Sequence, residues 1–247
     1  MNLSANELTR VRPFRVVERK WEAENVFTLV LEPENGEQMF AFAPGQWVHL
    51  HVLSIDGSAW AHAAFTLASA PEESDGGCEL GIKVYGEFTK RASGLQPGDR
   101  VGLQGPFGVF HLPSDASSLV MFAGGIGVTP FRSMIRSLAL REAPLDVILF
   151  YSNRYVEGAV YAEEFRRLSR DWPRFRFVMT LTGDDTPQKW DGEVGRVNVE
   201  MIGKYVPDMQ NTHFLACGSM AFMEAMKEIL ISNGVDVATR FRIERFG

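Results

Sequence analysis

The run Phe122-Ala123-Gly124-Gly125-Ile126-Gly127-Val128-Thr129-Pro130-Phe131 has the composition of a phosphate cradle. An apolar stretch from Ser118 to Phe122 feeds into glycines and then into a helical pattern ending near Leu140. A strand that hands over to a helix through glycine brings backbone N–H groups close to a pyrophosphate, and the helix start adds the positive end of its dipole. Gly125 and Gly127 allow close backbone approach, Val128 and Thr129 complete the turn, and Pro130 falls where a first helical turn tolerates a missing N–H. The spelling is not the common G-x-G-x-x-G fingerprint. Taken alone, such a turn is as often a plain tight connection.

Two further groups of residues follow the same logic. Tyr151-Ser152-Asn153-Arg154 comes at the end of the next apolar strand, where a doubly wound sheet reads the adenosine ribose. A carboxylate there would bind a ribose 2′-hydroxyl and repel a 2′-phosphate. None is present, whereas Ser152 and Arg154 can accept that phosphate, so NADPH is expected ahead of NADH with both left open. Cys217-Gly218-Ser219-Met220 ends another strand and opens a helix. A cysteine so placed is by itself a small buried hydrophobe. A nucleophile is not expected, because His213 lies four residues earlier in the same strand, too far along to pair with it.

The elements that must hold these residues fall into two groups. In the first half, Arg15 to Arg19, Val26 to Leu31, Trp47 to Leu53, Ala64 to Ala68, Glu79 to Val84 and Arg100 to Gln104 read as short strands. Turn signals separate them, among them Pro44-Gly45, Asp75-Gly76-Gly77 and Pro97-Gly98-Asp99. Strands at this spacing imply an antiparallel barrel or sandwich. After a Pro- and Ser-containing linker at Leu112 to Ser118 the pattern changes. Strands are expected at Leu119 to Ala123, Val147 to Tyr151, Phe175 to Leu181 and His213 to Cys217. Helices are expected at Pro130 to Leu140, Ala162 to Asp171, Val199 to Tyr205 and Ala221 to Ser232. That alternation implies a parallel sheet with helices on both faces. The expected division is residues 1–113 and 114–247.

Composition narrows the class. A 247-residue chain with 45% hydrophobic and 23% charged residues is that of a globular protein, not a disordered one. Its net charge of −6 argues against nucleic acid as a partner. No apolar run approaches the roughly 20 residues of a membrane helix, and the first residues lack the apolar core of a signal peptide. Cys78 and Cys217 make neither a disulfide framework nor the four ligands of an iron–sulfur cluster. No metal site is expected, and the expected compartment is the cytoplasm.

Upstream of the glycine turn stand Phe65-Thr66-Leu67-Ala68-Ser69-Ala70-Pro71 and Gly105-Pro106-Phe107-Gly108-Val109-Phe110. Downstream stand Cys217-Gly218-Ser219-Met220 and Ile243-Glu244-Arg245-Phe246-Gly247. In this order, over residues 12–247, the motifs resemble the ferredoxin–NADP reductase family, flavoproteins with an FAD-binding antiparallel barrel followed by a Rossmann-like nicotinamide-nucleotide domain.

The resemblance implies a set of roles. Phe65 would lie against the flavin, with Thr66 within hydrogen-bond reach of its N5 and Leu67 next to it. Ile82-Lys83-Val84 and Gly86-Glu87-Phe88-Thr89 match the second flavin segment, in which backbone groups and the Thr89 hydroxyl hold the ring edge and the pyrophosphate. Gly125, Gly127, Val128, Thr129, Pro130, Ser152, Arg154, Gly218, Ser219 and Met220 would line the NADP or NAD site. Cys217 would shape the nicotinamide position, Glu244 would lie near it, and Phe246 would cover the flavin.

One position departs from the family: the arginine expected two residues before the aromatic is Ala63. The implied activity is electron transfer from NAD(P)H through FAD to a redox protein. Ferredoxin or flavodoxin is the first candidate acceptor, and an oxygenase component, a cytochrome or a ferric chelate the alternative. Ala63 keeps a second reading open, a regulatory or electron-distributing subunit that binds flavin weakly.

Overall fold

The computed structural model describes residues 10–34, 36–53, 59–73 and 76–245. The chain divides into two compact units. One runs through His111 and includes Arg132–Ser137; the other holds Leu112–Phe131 and the chain from Leu138 onward.

The first unit is a six-stranded antiparallel sheet of β1 (Arg12–Ala23), β2 (Val26–Pro33), β3 (Trp47–Leu53), β4 (Ala59–Thr66), β5 (Cys78–Lys83) and β6 (Arg100–Phe107). The strand order is β4-β3-β6-β1-β2-β5. A single antiparallel bridge between Leu67 and Leu80 joins the chain just beyond β4 to the opposite edge strand, so the sheet curls into a barrel. Successive side chains of a strand point to opposite faces. Phe27, Leu29 and Leu31 of β2, Val48, Leu50 and Val52 of β3, and Leu80 and Ile82 of β5 accordingly share one buried core with Phe14, Val101 and Leu103.

Two departures from the sequence reading matter here. β4 starts at Ala59 rather than Ala64, because Ala-Trp-Ala-His-Ala offers no apolar alternation to reveal it. Residues Glu87–Ala92 form a short helix, α1, between the expected strands, where no element is expected.

The second unit is a six-stranded parallel sheet. Its strands are β7 (Ser118–Gly124), β8 (Asp146–Asn153), β9 (Phe175–Leu181), β10 (Glu193–Val194), β11 (His213–Gly218) and β12 (Phe241–Arg245). Their order is β10-β9-β8-β7-β11-β12, and every pairing is parallel. The helices α2 (Thr129–Leu140), α3 (Ala162–Asp171), α4 (Val199–Tyr205), α5 (Met220–Ser232) and α6 (Val237–Arg240) connect or follow these strands. The near-continuous burial of Leu119-Val120-Met121-Phe122-Ala123 is the mark of a central strand covered on both faces. The short edge strands β10 and β12 are not among the expected strands.

Candidate cofactor sites

In the first unit β4 carries the candidate flavin residues. Thr66 stands opposite Trp47 of β3, Phe65 opposite Val48 and Ala63 opposite Leu50. Thr66 is 2% exposed, and its Oγ1 is buried without a hydrogen-bond partner. A hydroxyl buried in this way costs on the order of 1–3 kcal/mol, so such atoms call for an explanation. Next to it, Phe65 packs on the barrel core and stacks on Phe88 of α1 at 6.0 Å and 24°. Phe88 in turn stacks on Trp60 at 6.3 Å and 12°. Trp60 reaches this position because β4 bulges: Val52 pairs with Ala61 and Leu53 with Ala59, leaving Trp60 as the extra residue. The guanidinium carbon of Arg91 lies 4.6 Å from the centre of the Trp60 ring.

The other flavin candidates divide between core and surface. Leu67 and Ile82 are fully buried and Val84 packs on the same core, so they can offer only backbone groups. Lys83 is exposed at the end of β5. Gly86 has φ +84° with open space where a side chain would be, a conformation that favours glycine. The Thr89 hydroxyl accepts the Tyr85 N–H at 2.6 Å and donates to the Gly86 carbonyl at 3.2 Å, so it closes the turn before α1 rather than standing free.

In the second unit the candidate residues collect at the C-terminal ends of the parallel strands, the edge at which open α/β sheets bind ligands. β7 passes through a tight turn of 3-10 helix, Gly125–Val128, into α2. The glycines of this turn serve different ends. Gly125 has φ +54° and open space beside it. At Gly127, by contrast, a Cβ would run into the Cys217 carbonyl and lie 2.8 Å from the Gly218 nitrogen. Gly127 is thus required for packing of the turn on β11, whereas Gly125 leaves backbone open to a ligand. Val128, Thr129 and Pro130 are buried, and Thr129 Oγ1 donates to the Ile126 carbonyl at 3.2 Å.

A cavity of about 300 Å³ in this unit is lined by Ser152, Thr182, Arg196, Ser219, Phe222 and Met226, among others. It brings together Ser152 at the end of β8 and Ser219, the N-cap of α5, whose Oγ accepts the Phe222 N–H at 3.3 Å. Thr182 and Arg196 were missed by sequence reasoning. They sit in irregular segments with no periodicity, and only the sheet order brings them beside Ser152. Arg154 is not in the lining; its guanidinium lies 5.3 Å from the ring of Tyr155. Met220 is 43% exposed at the start of α5. Among the described residues no carboxylate lines the cavity.

Cys217 of β11 is fully buried and stands in register with Glu244 of β12. Burial, and after it the neighbouring Glu244, push the Cys217 thiol well above its ordinary range. Burial likewise raises the Glu244 carboxyl. A neutral, buried thiol is shaped to fill space rather than to attack. Phe246 and Gly247 lie outside the described residues. Among the described residues no cluster of His, Cys, Asp and Glu is arranged to hold a metal ion. Nor is any helix long and apolar enough to cross a membrane.

Residues 13–112 match the oxidoreductase FAD-binding domain and residues 121–228 the oxidoreductase NAD-binding domain. The chain belongs to the ferredoxin-reductase-like oxidoreductases, whose two cofactors are FAD and NAD(P). It is 30% identical over 244 residues to the glycine betaine monooxygenase reductase subunit of Chromohalobacter salexigens, covering 96% of this chain and 64% of that protein. The cytochrome P450 reductase of Amycolatopsis superposes with a TM-score of 0.82 at 26% identity, over 96% of this chain and 70% of that one. The flavohem-like FAD/NAD-binding domain of the Vibrio cholerae nitric oxide dioxygenase shares the fold, with a TM-score of 0.84 at 22% identity over 96% and 98% of the two chains. The chain spans a little under two thirds of the length of the first curated relatives it matches, at 64%, 62% and 65%.

The residues present fit both cofactors. The first unit offers a stacked aromatic surface and a buried hydroxyl without a partner, and the second an open glycine turn and a hydroxyl-lined cavity holding one cation.

Proposed function

We propose that this protein is a flavoprotein reductase that draws electrons from NADPH or NADH and passes them singly to a separate redox acceptor. The flavin domain is residues 1–113 and the nucleotide domain 114–247. The observation that carries the reading is the buried, unpartnered Thr66 hydroxyl next to Phe65 in β4. FAD, when bound, supplies the conversion of a two-electron hydride donor into single electrons. The chain supplies placement. Phe65 gives the ring a flat apolar wall, and Thr66 offers a hydrogen bond to the flavin edge without itself ionising. The backbone at Gly86 and Gly125 leaves room for phosphates, and Cys217 and Gly218 shape the nicotinamide end as small, uncharged groups. Glu244 would border that end.

The relatives named as reductase components support an oxygenase component as acceptor, while ferredoxin or flavodoxin rests on the family resemblance alone. Two buried free thiols support a cytoplasmic setting.

The test is direct. Purified protein mixed with FAD should show flavin absorption bands near one equivalent, bleach under anaerobic NADPH or NADH, and then reduce an added one-electron acceptor. A chain that stays colourless with excess FAD overturns the reading and leaves the weakly flavin-binding subunit, the alternative that Ala63 keeps open.

A further inference from the structure

Ala63 leaves a flavin pyrophosphate without the cation that the family's motif supplies. Four basic residues lie close in sequence to the candidate residues: His62, Lys83, Lys90 and Arg91. His62 follows the opposite face of β4 from Ala63, pairs with His51 in register, stacks on His51 at 4.8 Å and lies tilted against His49 at 4.7 Å. Lys83 neighbours the core-facing Ile82 and therefore points away from the core. Lys90 is paired with Glu87 at 3.4 Å.

Arg91 differs from all three. It has no carboxylate partner among the described residues, and its guanidinium rests 4.6 Å over Trp60. Trp60 is the first ring of the ladder that runs through Phe88 to Phe65, the residue beside Thr66. A guanidinium seated on an aromatic face keeps its N–H edge free, and that edge matches two phosphate oxygens at once.

We propose that Arg91, held ready on Trp60, supplies the positive charge to the FAD pyrophosphate that Ala63 cannot. The proposal rests on the flavin-binding reading above. It makes the cation a property of α1 and of the β4 bulge that presents Trp60, in place of the strand position two residues before Phe65.

The experiment is a titration of apo-protein with FAD and, separately, with riboflavin, followed by flavin fluorescence at low and high salt. Riboflavin carries the ring without phosphate. R91Q should weaken FAD roughly ten- to a hundredfold, the range for losing a charge-assisted hydrogen-bonded contact, and leave riboflavin affinity within about twofold. It should also flatten the salt dependence. K90Q should leave FAD affinity unchanged, and W60L should weaken FAD less than R91Q does. Adding A63R to R91Q should restore most of the loss.

Unchanged FAD affinity in R91Q overturns the proposal, as does a loss shared equally by riboflavin or one carried by K83Q instead. If wild-type protein binds neither FAD nor riboflavin, the flavin reading itself falls. That result is distinct from wild type binding FAD and R91Q matching it.

Discussion

The two units build their candidate sites from different material. In the barrel the site is made of side chains: Phe65, Phe88 and Trp60 stack in sequence, and beside Phe65 the Thr66 hydroxyl is buried without a partner. In the parallel-sheet unit it is made largely of backbone. Gly125 is open, Gly127 and Gly218 bring β7 and β11 into close approach, and the side-chain contribution is a few hydroxyls and Arg196. A side-chain site can change residue by residue, because a neighbouring element can present the same group from another place. Ala63 and Arg91 illustrate this in the barrel. The backbone site has no such freedom at Gly127, since a side chain there would meet the backbone of β11.

That difference predicts unequal responses to substitution. The largest effect is expected at Gly127→Ala. The added Cβ meets the backbone of Cys217 and Gly218, so the turn or β11 must shift, at a cost of about 2–4 kcal/mol. Calorimetry should show the second unit melting roughly 5–15 °C lower, with nucleotide binding lost in parallel. Gly125→Ala meets open space and should cost only about 1 kcal/mol, for its positive φ. Equal melting temperatures for the two variants would break the distinction between packing glycine and open glycine.

Thr66→Ala tests the side-chain site. Removing the hydroxyl relieves a buried group without a partner but also leaves a gap where the side chain packed, so the two effects offset and stability should change by less than about 1 kcal/mol. Flavin reduction by NADPH in stopped flow should nevertheless slow at least about tenfold, or roughly 1.4 kcal/mol of barrier. A large loss of stability with an unaltered rate would make Thr66 a structural strand residue.

Arg196→Gln removes the one cation that lines the candidate nucleotide cavity among the described residues. NADP⁺ affinity should fall roughly tenfold and NAD⁺ affinity less than about twofold, read by difference spectroscopy. An equal effect on both would show that Arg196 does not read the 2′-phosphate.

The smallest effect is a pH dependence present in both units. In the barrel, burial lowers the pKa of His51, opposed by its hydrogen bond to Gln104 and reinforced by His62 and His49. In the second unit burial lowers that of His213, against the pull of Asp115 and with Arg240 and Arg242 adding. Each imidazole is therefore protonated more readily in the unfolded chain than in the folded one. Stability should be complete above the ordinary histidine pKa of about 6.5 and fall as the pH drops below it. Melting curves between pH 7.5 and pH 5, on the order of the histidine range, should show this slope. His51→Gln should flatten it for the barrel and His213→Gln for the other unit. A slope unchanged in both variants would assign it to other groups.

Local chemistry determined much of this protein directly from its sequence. The apolar runs of β7, β8, β9 and β11, the amphipathic α3 and α4, and the Gly125–Pro130 turn are legible because period and glycine placement are local properties. Phe65-Thr66 and Cys217-Gly218 stand out for the same reason once their order along the chain is considered. Tertiary structure decided what depends on residues far apart in sequence. It distinguished Gly127, pressed on β11, from Gly125, which faces open space. It closed the Thr89 hydroxyl into its own turn, brought Arg196 rather than Arg154 into the cavity with Ser152, and set Arg91 on a tryptophan that only a β-bulge exposes. Periodicity says which face of an element is buried; which partner covers that face, and which polar atom is left without one, is a property of the packed chain.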